Sequence, residues 1–374
     1  MPFTILQTCF SPSWGGLEIQ SLEVSRHLLR RGHRVTLACL AGSRLHREAQ
    51  SAGLESLPLG VTGYLHPGAM MALRRCLRRG PVDVIHCQHS RDIATVVPAM
   101  RLTARRIPVV LSKRVGSYVR KRDPLHRFTY AGVRRVLAIS EVIRRNVIDT
   151  TPVPPARVLT LHDAIDLDLF LPAVTPPVLR GASSLPPEAI VVGFVGRFSP
   201  GKGHEDLLQA VHILKPRHPR LRVFIVGEAS YGEVQYEQEI RTLCTRLHLD
   251  DIVTFTGFRS DIPEVMASFD ILAFPSHAES FGVVLLEAMA MERPVVSTNC
   301  DGILDVVVDG ETGIFFSPGD AVGFSAALDR LIADPELRRR MGKAGRERVE
   351  RLFGRERQME ALEQIYAEVI AERR

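Results

Sequence analysis

One stretch in the second half of the chain constrains the fold most, because an apolar segment passes through a polar turn directly into a helix. Residues 271–294 read ILAFPSHAESFGVVLLEAMAMERP. Residues 269–274 are almost continuously apolar apart from Asp270, which is typical of a strand buried on both faces of a parallel sheet. The stretch therefore predicts a strand followed at once by a helix, the repeating unit of an α/β fold.

The turn between this strand and its helix is a candidate anion site. It consists of Ser280, Phe281 and Gly282, and Gly282 lets the backbone approach a ligand closely. The first helical N–H groups, near Val283 and Val284, have no acceptor inside the helix. Such a helix N-terminus favours anions. The turn therefore predicts a site for a phosphorylated ligand.

Two glutamates border this turn. Glu279 lies within it, and Glu287 lies one helical turn beyond Val283 on the same face. Because carboxylates repel phosphate, we expect them to accept hydrogen bonds from sugar hydroxyls beside it. The alternative for Glu287 is a solvated helix position. The pair indicates a nucleotide sugar, with one glutamate on the ribose and the other on the transferred hexose.

The segment ESFGVVLLEAMAMERPVV, in which the two glutamates flank seven residues, resembles the signature of the retaining glycosyltransferases of the large family-four (group 1) type. Further segments resemble the same family in the same order, over essentially the whole chain. The resemblance implies the GT-B fold, with two Rossmann-like domains facing across a cleft. It implies donor binding mainly by the C-terminal domain, acceptor binding by the N-terminal one, and retention of anomeric configuration. Glu279 would position the hexose and Glu287 the ribose.

Length and cysteine usage limit the class of protein. A chain of 374 residues favours two domains, each with its own core. The six cysteines are scattered without a Cys-x-x-Cys pair, which argues against a disulfide framework or zinc site and for a reducing compartment. No basic segment precedes an apolar run at the N-terminus, and no 18 apolar residues follow one another. We therefore expect a cytoplasmic protein.

Residues 150–187 are rich in proline and poor in periodicity, which predicts the interdomain linker. We expect an N-terminal acceptor domain over residues 1–175 and a C-terminal donor domain over residues 176–354. The resemblance implies that a final helix, at about residues 355–374, crosses back onto the N-terminal domain.

Charge is distributed unevenly along the chain. Residues 1–175 hold 25 Lys and Arg against 12 Asp and Glu, or +13, whereas the remainder holds 23 against 30, or −7. Without clear nucleic-acid motifs, the basic half predicts an anionic acceptor or membrane surface, although solvated arginine faces would give the same count. The predicted docking face comprises Arg114, Tyr118, Arg120, Lys121, Arg122, Arg127 and Phe128. We expect a peripheral enzyme acting on a membrane-associated glycan or lipid in surface-polysaccharide or lipopolysaccharide assembly.

A second glycine-rich loop, GRFSPGKG at residues 196–203, follows the predicted strand 190–195. Its spacing of Gly, four residues and Gly-Lys matches the Walker A motif of a P-loop NTPase. A Ser or Thr should then follow the lysine to ligate Mg²⁺, and this chain has Gly203. The resemblance instead directs Arg197 and Lys202 at the donor pyrophosphate, where they would stabilise developing charge without a metal. A non-catalytic nucleotide-sugar binding module is a further alternative.

The N-terminus predicts strand, helix and strand at residues 3–9, 17–31 and 34–40. The first turn contains Gly15 and Gly16 but lacks Gly-x-Gly-x-x-Gly, which argues against hydride chemistry. In the resembled family such a Gly-Gly turn faces the donor phosphates, and a plain tight turn is the alternative.

Residues 83–89 predict a strand that ends in two histidines, His86 and His89. A histidine at the carboxyl end of a parallel strand lies where α/β folds bind ligands. The resemblance implies that one contacts the transferred sugar, and we prefer His86, with His89 as the second candidate and a structural histidine as the alternative. A metal pair would lack a third ligand. Asp166 and Asp168 lie in the linker, so no metal or other cofactor is expected.

Two further segments of the second half carry a ligand or turn signal. In the resembled family the region of Gly257, Phe258 and Arg259 contacts the nucleotide base, and we expect UDP or GDP. Residues 306–316, VVVDGETGIFF, predict a hairpin-like turn at Asp309 and Gly310.

Overall fold

The computed structural model describes residues 2–60, 66–103, 105–229 and 232–372. The chain divides into two compact units. The first consists of Met1–Asp163 and Glu356–Arg374, and the second of Ala164–Arg355. The change from one unit to the other falls inside the predicted linker.

In the described part of the chain the first unit contains seven strands: β1 (Thr4–Cys9), β2 (Arg34–Leu40), β3 (Glu55–Leu59), β4 (Val84–Cys87), β5 (Val109–Lys113), β6 (Val133–Ala138) and β7 (Val158–Thr160). Its helices are α1 (Gly16–Arg30), α2 (Arg44–Ser51), α3 (Pro67–Arg79), α4 (Ile93–Arg101), α5 (Pro124–Tyr130) and α6 (Glu141–Thr150). The strands form one parallel sheet in the order β3-β2-β1-β4-β5-β6-β7.

The second unit contains six described strands: β8 (Ile190–Val195), β9 (Leu221–Val226), β10 (Val253–Gly257), β11 (Ile271–Phe274), β12 (Val295–Thr298) and β13 (Gly313–Phe316). Its helices are α7 (Val178–Ala182), α8 (His204–Leu214), α9 (Val234–Arg246), α10 (Ile262–Ala267), α11 (Val283–Ala290), α12 (Ile303–Val306), α13 (Ala321–Ala333) and α14 (Pro335–Leu352). The strands form a second parallel sheet in the order β10-β9-β8-β11-β12-β13.

The two parallel sheets confirm the predicted α/β fold class. Strands such as β8 and β11 are short, apolar and almost wholly buried, because helices cover both faces of a parallel sheet. Asp270, the polar residue before β11, accepts hydrogen bonds from Val191 N–H (2.7 Å) and from Arg180 (2.5 Å). These two hydrogen bonds offset the free-energy cost of partly burying the Asp270 carboxylate.

The last helix, α15 (Arg355–Ala371), packs on the first unit, as the resemblance implies. Met359, Leu362 and Tyr366 are buried in one cluster with Ile5 of β1 and Val84 of β4. An apolar stripe with this spacing is the buried face of an amphipathic helix. The end of the chain thus completes the core around β1 and β4.

Two sequence predictions are wrong in detail. The predicted linker contains β7, which pairs with β6 as the edge strand of the first sheet. The predicted hairpin at residues 306–316 is instead a turn ahead of β13, which pairs with β12 in parallel. Gly310 has φ +73°, so the turn itself forms where the Asp309-Gly310 pair indicates.

The strand order reverses direction at one place in each sheet. In the first sheet this occurs between β1 and β4, and in the second between β8 and β11. Open parallel sheets bind ligands beyond the carboxyl ends of their strands at such a point. The loops that follow these four strands are therefore the candidate ligand-binding loops.

Candidate functional site

In the second unit, the loops after β8 and β11 are in direct contact. His277 N–H donates to the carbonyl of Gly201 (2.8 Å). A Cβ at Gly203 would lie 2.1 Å from the carbonyl oxygen of Pro275, and Gly203 has φ +79°. A Ser or Thr at position 203, which the Walker A motif requires, is therefore incompatible with this packing.

This contact brings together two of the predicted site residues. Lys202 Nζ lies 2.7 Å from Glu279 Oε2. The other carboxylate oxygen of Glu279 accepts the N–H of Ser280 (3.1 Å), and Gly302 N–H donates to the Glu279 carbonyl (2.9 Å). The turn thus holds a partly solvated ion pair in a defined position, where a ligand can contact the ammonium or the carboxylate.

The N-terminus of α11 is available to an anion. Among the described residues, no acceptor lies within hydrogen-bond distance of the N–H groups of Val283 and Val284. Gly282 has φ +87°, a conformation that favours glycine. Phe281 is buried against Phe353, with ring centroids 5.9 Å apart. Its side chain therefore anchors the turn, which leaves only its backbone for ligand contact.

Glu287 is the second predicted glutamate. Its side chain is only partly buried, yet desolvation raises its pKa to about 7. No donor of the described residues lies within hydrogen-bond distance of its carboxylate. A partly buried carboxylate with unused acceptor capacity is suited to the hydroxyls of a ligand.

The two predicted arginines of this unit differ in setting. Arg197 is exposed in the loop after β8. Arg259 donates through Nε to Asp261 Oδ1 (2.8 Å), next to the start of α10. Beside it, Phe258 is exposed. The roles of Arg197 and Arg259 toward a donor stay predictions.

In the first unit, the carboxyl ends of β1 and β4 are joined by Asp92, a residue that is not among the predicted site residues. Asp92 is buried and accepts the hydroxyl of Thr8 (2.8 Å) and the N–H of Phe10 (3.4 Å). Desolvation raises its pKa. The sequence signal that could have identified Asp92 is its position just after the predicted strand at residues 83–89.

His89 lies beside this carboxylate. Its Nδ1 is 3.5 Å from Asp92 Oδ1, and 28% of its side chain is exposed. Nδ1 is buried and has no hydrogen-bond partner among the described residues, so the Asp92 carboxylate near it can only orient the imidazole through charge. The other nitrogen is then the one available to a ligand.

His86 is in a different environment. Its ring is buried, with Nδ1 2.6 Å from the Tyr366 hydroxyl and Nε2 2.9 Å from Ser112 Oγ. Burial lowers its pKa to about 3, so the ring is neutral at physiological pH. With both nitrogens engaged, this geometry does not favour the sugar contact that we preferred for His86, and the assignment stays a prediction.

The predicted turn at Gly15 and Gly16 forms the capped start of helix α1. Gly15 has an extended backbone, and its N–H donates to Glu18 Oε2 (2.8 Å) as α1 begins at Gly16. A carboxylate thus already occupies part of this helix N-terminus. The donor roles of Gly15 and Gly16 stay predictions.

The predicted basic docking face needs one correction. Arg114 forms a two-point ion pair with Asp163 (3.1 and 3.2 Å) and donates to Gln88 Oε1 (2.7 Å). It is therefore used within the first unit and is not part of an exposed surface. The remaining side chains of that prediction are exposed, except Lys121, which is half-buried.

No group of three or more His, Cys, Asp or Glu side chains close enough to hold a metal occurs among the described residues. Asp166 accepts the N–H of Asp168 (3.2 Å) and caps a short 3₁₀ turn, which accounts for this acidic pair. In the ranges that the structure covers, no helix has the length and apolarity to cross a membrane.

Two family models match the chain. The model described as Glycosyltransferase Family 4 matches residues 14–169, and that described as Glycosyl transferases group 1 matches residues 177–348. A curated D-inositol 3-phosphate glycosyltransferase of Streptomyces bingchenggensis is 31% identical over 242 residues, covering 63% of this chain and 53% of that protein. The chain thus spans about half the length of this relative.

Two solved structures share the fold. A glycosyltransferase from Rickettsia africae superimposes with a TM-score of 0.89 at 20% identity, over 99% of each chain. HepE from Anabaena, solved in complex with UDP-glucose, superimposes with a TM-score of 0.82 at 22% identity, over 99% of this chain and 100% of that one.

Proposed function

Because this chain belongs to the GT-B glycosyltransferases, with a Glycosyltransferase Family 4 domain followed by a group 1 domain, we propose that it transfers a sugar from a nucleotide sugar to an anionic acceptor. The second unit would bind the donor and the first unit the acceptor.

One observation carries the donor proposal: the Lys202–Glu279 pair lies in contacting loops, and Glu279 is in the turn that leads to the open N-terminus of α11. Amide N–H groups and an ammonium suit a diphosphate, while the carboxylates of Glu279 and Glu287 suit hexose and ribose hydroxyls. HepE was solved with UDP-glucose, which supports a UDP-sugar over the GDP alternative.

The chemistry follows from where charge develops. As the bond from the sugar to the diphosphate breaks, negative charge grows on the leaving phosphate, and Lys202 together with the N–H groups of Val283 and Val284 would stabilise it. Arg197 would add a second cation. Glu279 would orient the hexose while the acceptor hydroxyl attacks from the face that the diphosphate leaves and passes its proton to the leaving phosphate oxygen. Attack from this face retains the anomeric configuration. No protein nucleophile and no metal are required in this scheme.

The acceptor proposal rests on a second group of cations. Lys113, at the end of β5, is 6% exposed and has no carboxylate within ion-pair distance among the described residues. Burial and the nearby Lys121 lower its pKa to about 8, and the pKa of Lys121 is itself lowered by burial and then by Arg91. These cations would bind a phosphate or carboxylate of the acceptor. The matched relative is named for an inositol phosphate, which also supports an anionic acceptor.

The division of charge supports the same assignment. The first unit carries 28 basic against 15 acidic residues, or +13, and the second carries 20 against 27, or −7. A donor in the second unit does not explain the excess in the first. A cytoplasmic enzyme of glycan or glycolipid assembly, working on an anionic membrane-associated acceptor, fits this distribution.

The test is a panel of UDP-, GDP- and ADP-sugars, measured by calorimetry for binding and by release of nucleoside diphosphate for turnover. Lys202→Ala and, separately, Arg197→Ala should lower turnover about 100-fold. Lys215→Ala is the matched control, since this lysine pairs with Asp251 on the surface. Turnover should persist in EDTA. Binding without turnover would favour the binding-module alternative, and hydrolysis of ATP that requires Mg²⁺ would favour the P-loop alternative.

A further inference from the structure

A cavity of about 310 Å³ opens on the first unit, away from the loops described above. It lies where α4 ends and where β5 and β6 begin, so it is at the sheet edge opposite the carboxyl ends of the strands. Four of its lining residues are arginines: Arg101, Arg105, Arg106 and Arg134.

Within the described ranges, these arginines have no acidic partners. No Asp or Glu lines the cavity, and none of the four forms an ion pair within the described residues. Arg105 donates to the Gly80 carbonyl (2.8 Å), and the Arg101 guanidinium lies 4.1 Å from the centre of the Phe128 ring. Both are thus fixed by neutral groups. Four positive charges around one cavity repel one another, and a bound anion would offset this repulsion. The planar guanidinium group also matches the geometry of a phosphate.

Two exposed apolar side chains lie next to Arg101, one of the residues that line the cavity. Leu102 follows Arg101 and is 54% exposed, and Phe128, beneath the Arg101 guanidinium, is 40% exposed. A free phosphate compound would leave these side chains in water. A basic surface with exposed apolar side chains beside it is instead the arrangement that binds the interface of an anionic bilayer.

We propose that this cavity binds the phosphodiester headgroup of an anionic membrane lipid, with Leu102 and Phe128 entering the boundary between headgroups and acyl chains. The docking surface does not include the exposed basic run at Arg120, Arg122 and Arg127, none of which lines this cavity. It is also distinct from the cations proposed to hold the acceptor.

The experiment measures co-sedimentation of the full chain with phosphatidylcholine vesicles that contain or lack phosphatidylglycerol, at low and high salt. We expect salt-reversible binding only to the vesicles with phosphatidylglycerol. The triple variant R101Q/R106Q/R134Q should bind about 100-fold more weakly, since each basic group near such a surface contributes about 1 kcal/mol and about 1.4 kcal/mol is tenfold. Arg105 is left unchanged because of its carbonyl contacts.

Two matched variants carry the same change in charge. R220Q/R246Q/R330Q removes three exposed arginines of the second unit and should bind like the parent. R120Q/R122Q/R127Q removes the other basic run. If that variant loses binding while R101Q/R106Q/R134Q keeps it with a parental melting temperature, the docking surface is elsewhere. Equal binding to pure phosphatidylcholine would also overturn the proposal.

Leu102→Ser separates a bilayer from a soluble phosphate compound. It should weaken vesicle binding several-fold, since exposed apolar area contributes to interfacial binding. Glycerol 3-phosphate titrated by calorimetry serves as the soluble probe. Saturable binding of this probe that the arginine triple variant abolishes, without any vesicle binding by the parent, would identify a site for a free phosphate compound. Because none of these measurements uses sugar transfer, their failure leaves the proposed enzymatic activity unaffected.

Discussion

At the scale of single residues, Glu287 couples the proposed donor site to the stability of the fold. Its carboxylate is partly buried on α11 without a hydrogen-bond donor among the described residues. Burying a carboxylate without a partner costs stability. The same unused acceptor capacity is what a ribose would satisfy, so Glu287 should be costly to the empty protein and useful to the liganded one.

Glu287→Gln should therefore change stability in a pH-dependent way. The pKa of Glu287 is about 7 in the fold, above its ordinary value of 4.5. Between these values the unfolded chain has released a proton that the folded chain retains, so the free energy of unfolding falls as pH rises through this window. At about pH 8 the variant should exceed the parent by on the order of 1–3 kcal/mol, and below about pH 4.5 the two should be equal. Urea unfolding of parent and variant across this range measures the difference between their free energies of unfolding. A difference that is the same at every pH would contradict the prediction.

Glu287→Ala should weaken donor binding. A hydrogen bond to a charged group contributes about 1.5–3 kcal/mol, and the ribose would lose such a bond. Calorimetry with the best donor of the panel gives the change. Parental affinity in a folded variant would mean that the ribose is held elsewhere.

The two histidines at the end of β4 should respond differently to substitution. His86→Ala leaves the hydroxyls of Tyr366 and Ser112 without their partner in a buried site, which should cost about 1–3 kcal/mol of stability. His89→Ala should leave the melting temperature nearly unchanged and lower turnover if His89 contacts the sugar. Measuring both quantities on both variants separates the roles. Lost turnover with intact stability in His86→Ala would restore the original preference for His86.

At the scale of elements, the position of α11 depends on how closely α14 packs beneath it. Glu292, just after α11, has a left-handed backbone with φ +56°. Its carbonyl oxygen would lie 2.0 Å from a Cβ added at Gly342 of α14. The close contact between α14 and the end of α11, the helix that presents the anion site, therefore requires glycine at position 342.

Gly342→Ala should destabilise the second unit by about 1–3 kcal/mol through overpacking, although alanine is favoured over glycine in a helix by about 1 kcal/mol. Gly345→Ala on the same helix is the control. There the nearest atom is Met289 Cγ at 3.2 Å, in a flexible side chain that can move. Chemical denaturation of both variants gives the comparison. Equal stability of the two would show that α14 can shift without cost.

At the scale of the whole molecule, the first unit depends on the end of the chain. Tyr366 and its neighbours on α15 fill the core around β1 and β4. Arg31 Nε lies 2.6 Å from Glu363 Oε1, and His33 Nε2 lies 2.9 Å from the same oxygen. The Arg31 guanidinium and then His33 hold the pKa of Glu363 at about 2. The stability that this pair contributes is present above about pH 4.5 and is lost as the pH falls toward 2.

Truncation after Arg355 should therefore unfold the first unit selectively. The deletion exposes the apolar residues of the α15 core cluster, and loss of one large buried side chain alone costs about 3–5 kcal/mol. Hydrogen exchange followed by mass spectrometry should show lost protection in β1 and β4 and retained protection in β8 and β11. Truncation after Ala371 is the control and should leave both units protected. If the chain that ends at Arg355 keeps its hydrogen-exchange protection in both units, α15 is dispensable for the fold of the first unit.

The sequence by itself determined the features that depend on neighbouring residues. Short apolar runs predicted β1, β8 and β11, because a strand buried in a parallel sheet is apolar on both faces. The glycine turn before α11 was predictable because such a turn needs a particular residue type within a few positions. The resemblance then supplied the family and the GT-B fold.

Only the tertiary structure decided which distant residues meet. The Asp309-Gly310 turn is compatible with either strand direction, and the sheet order made β13 parallel to β12. Neither the Lys202–Glu279 contact nor the choice between a buried His86 and a partly exposed His89 has a local signature. Each depends on side chains brought together by long crossovers between parallel strands, and the period of a sequence carries no information about which strands become neighbours.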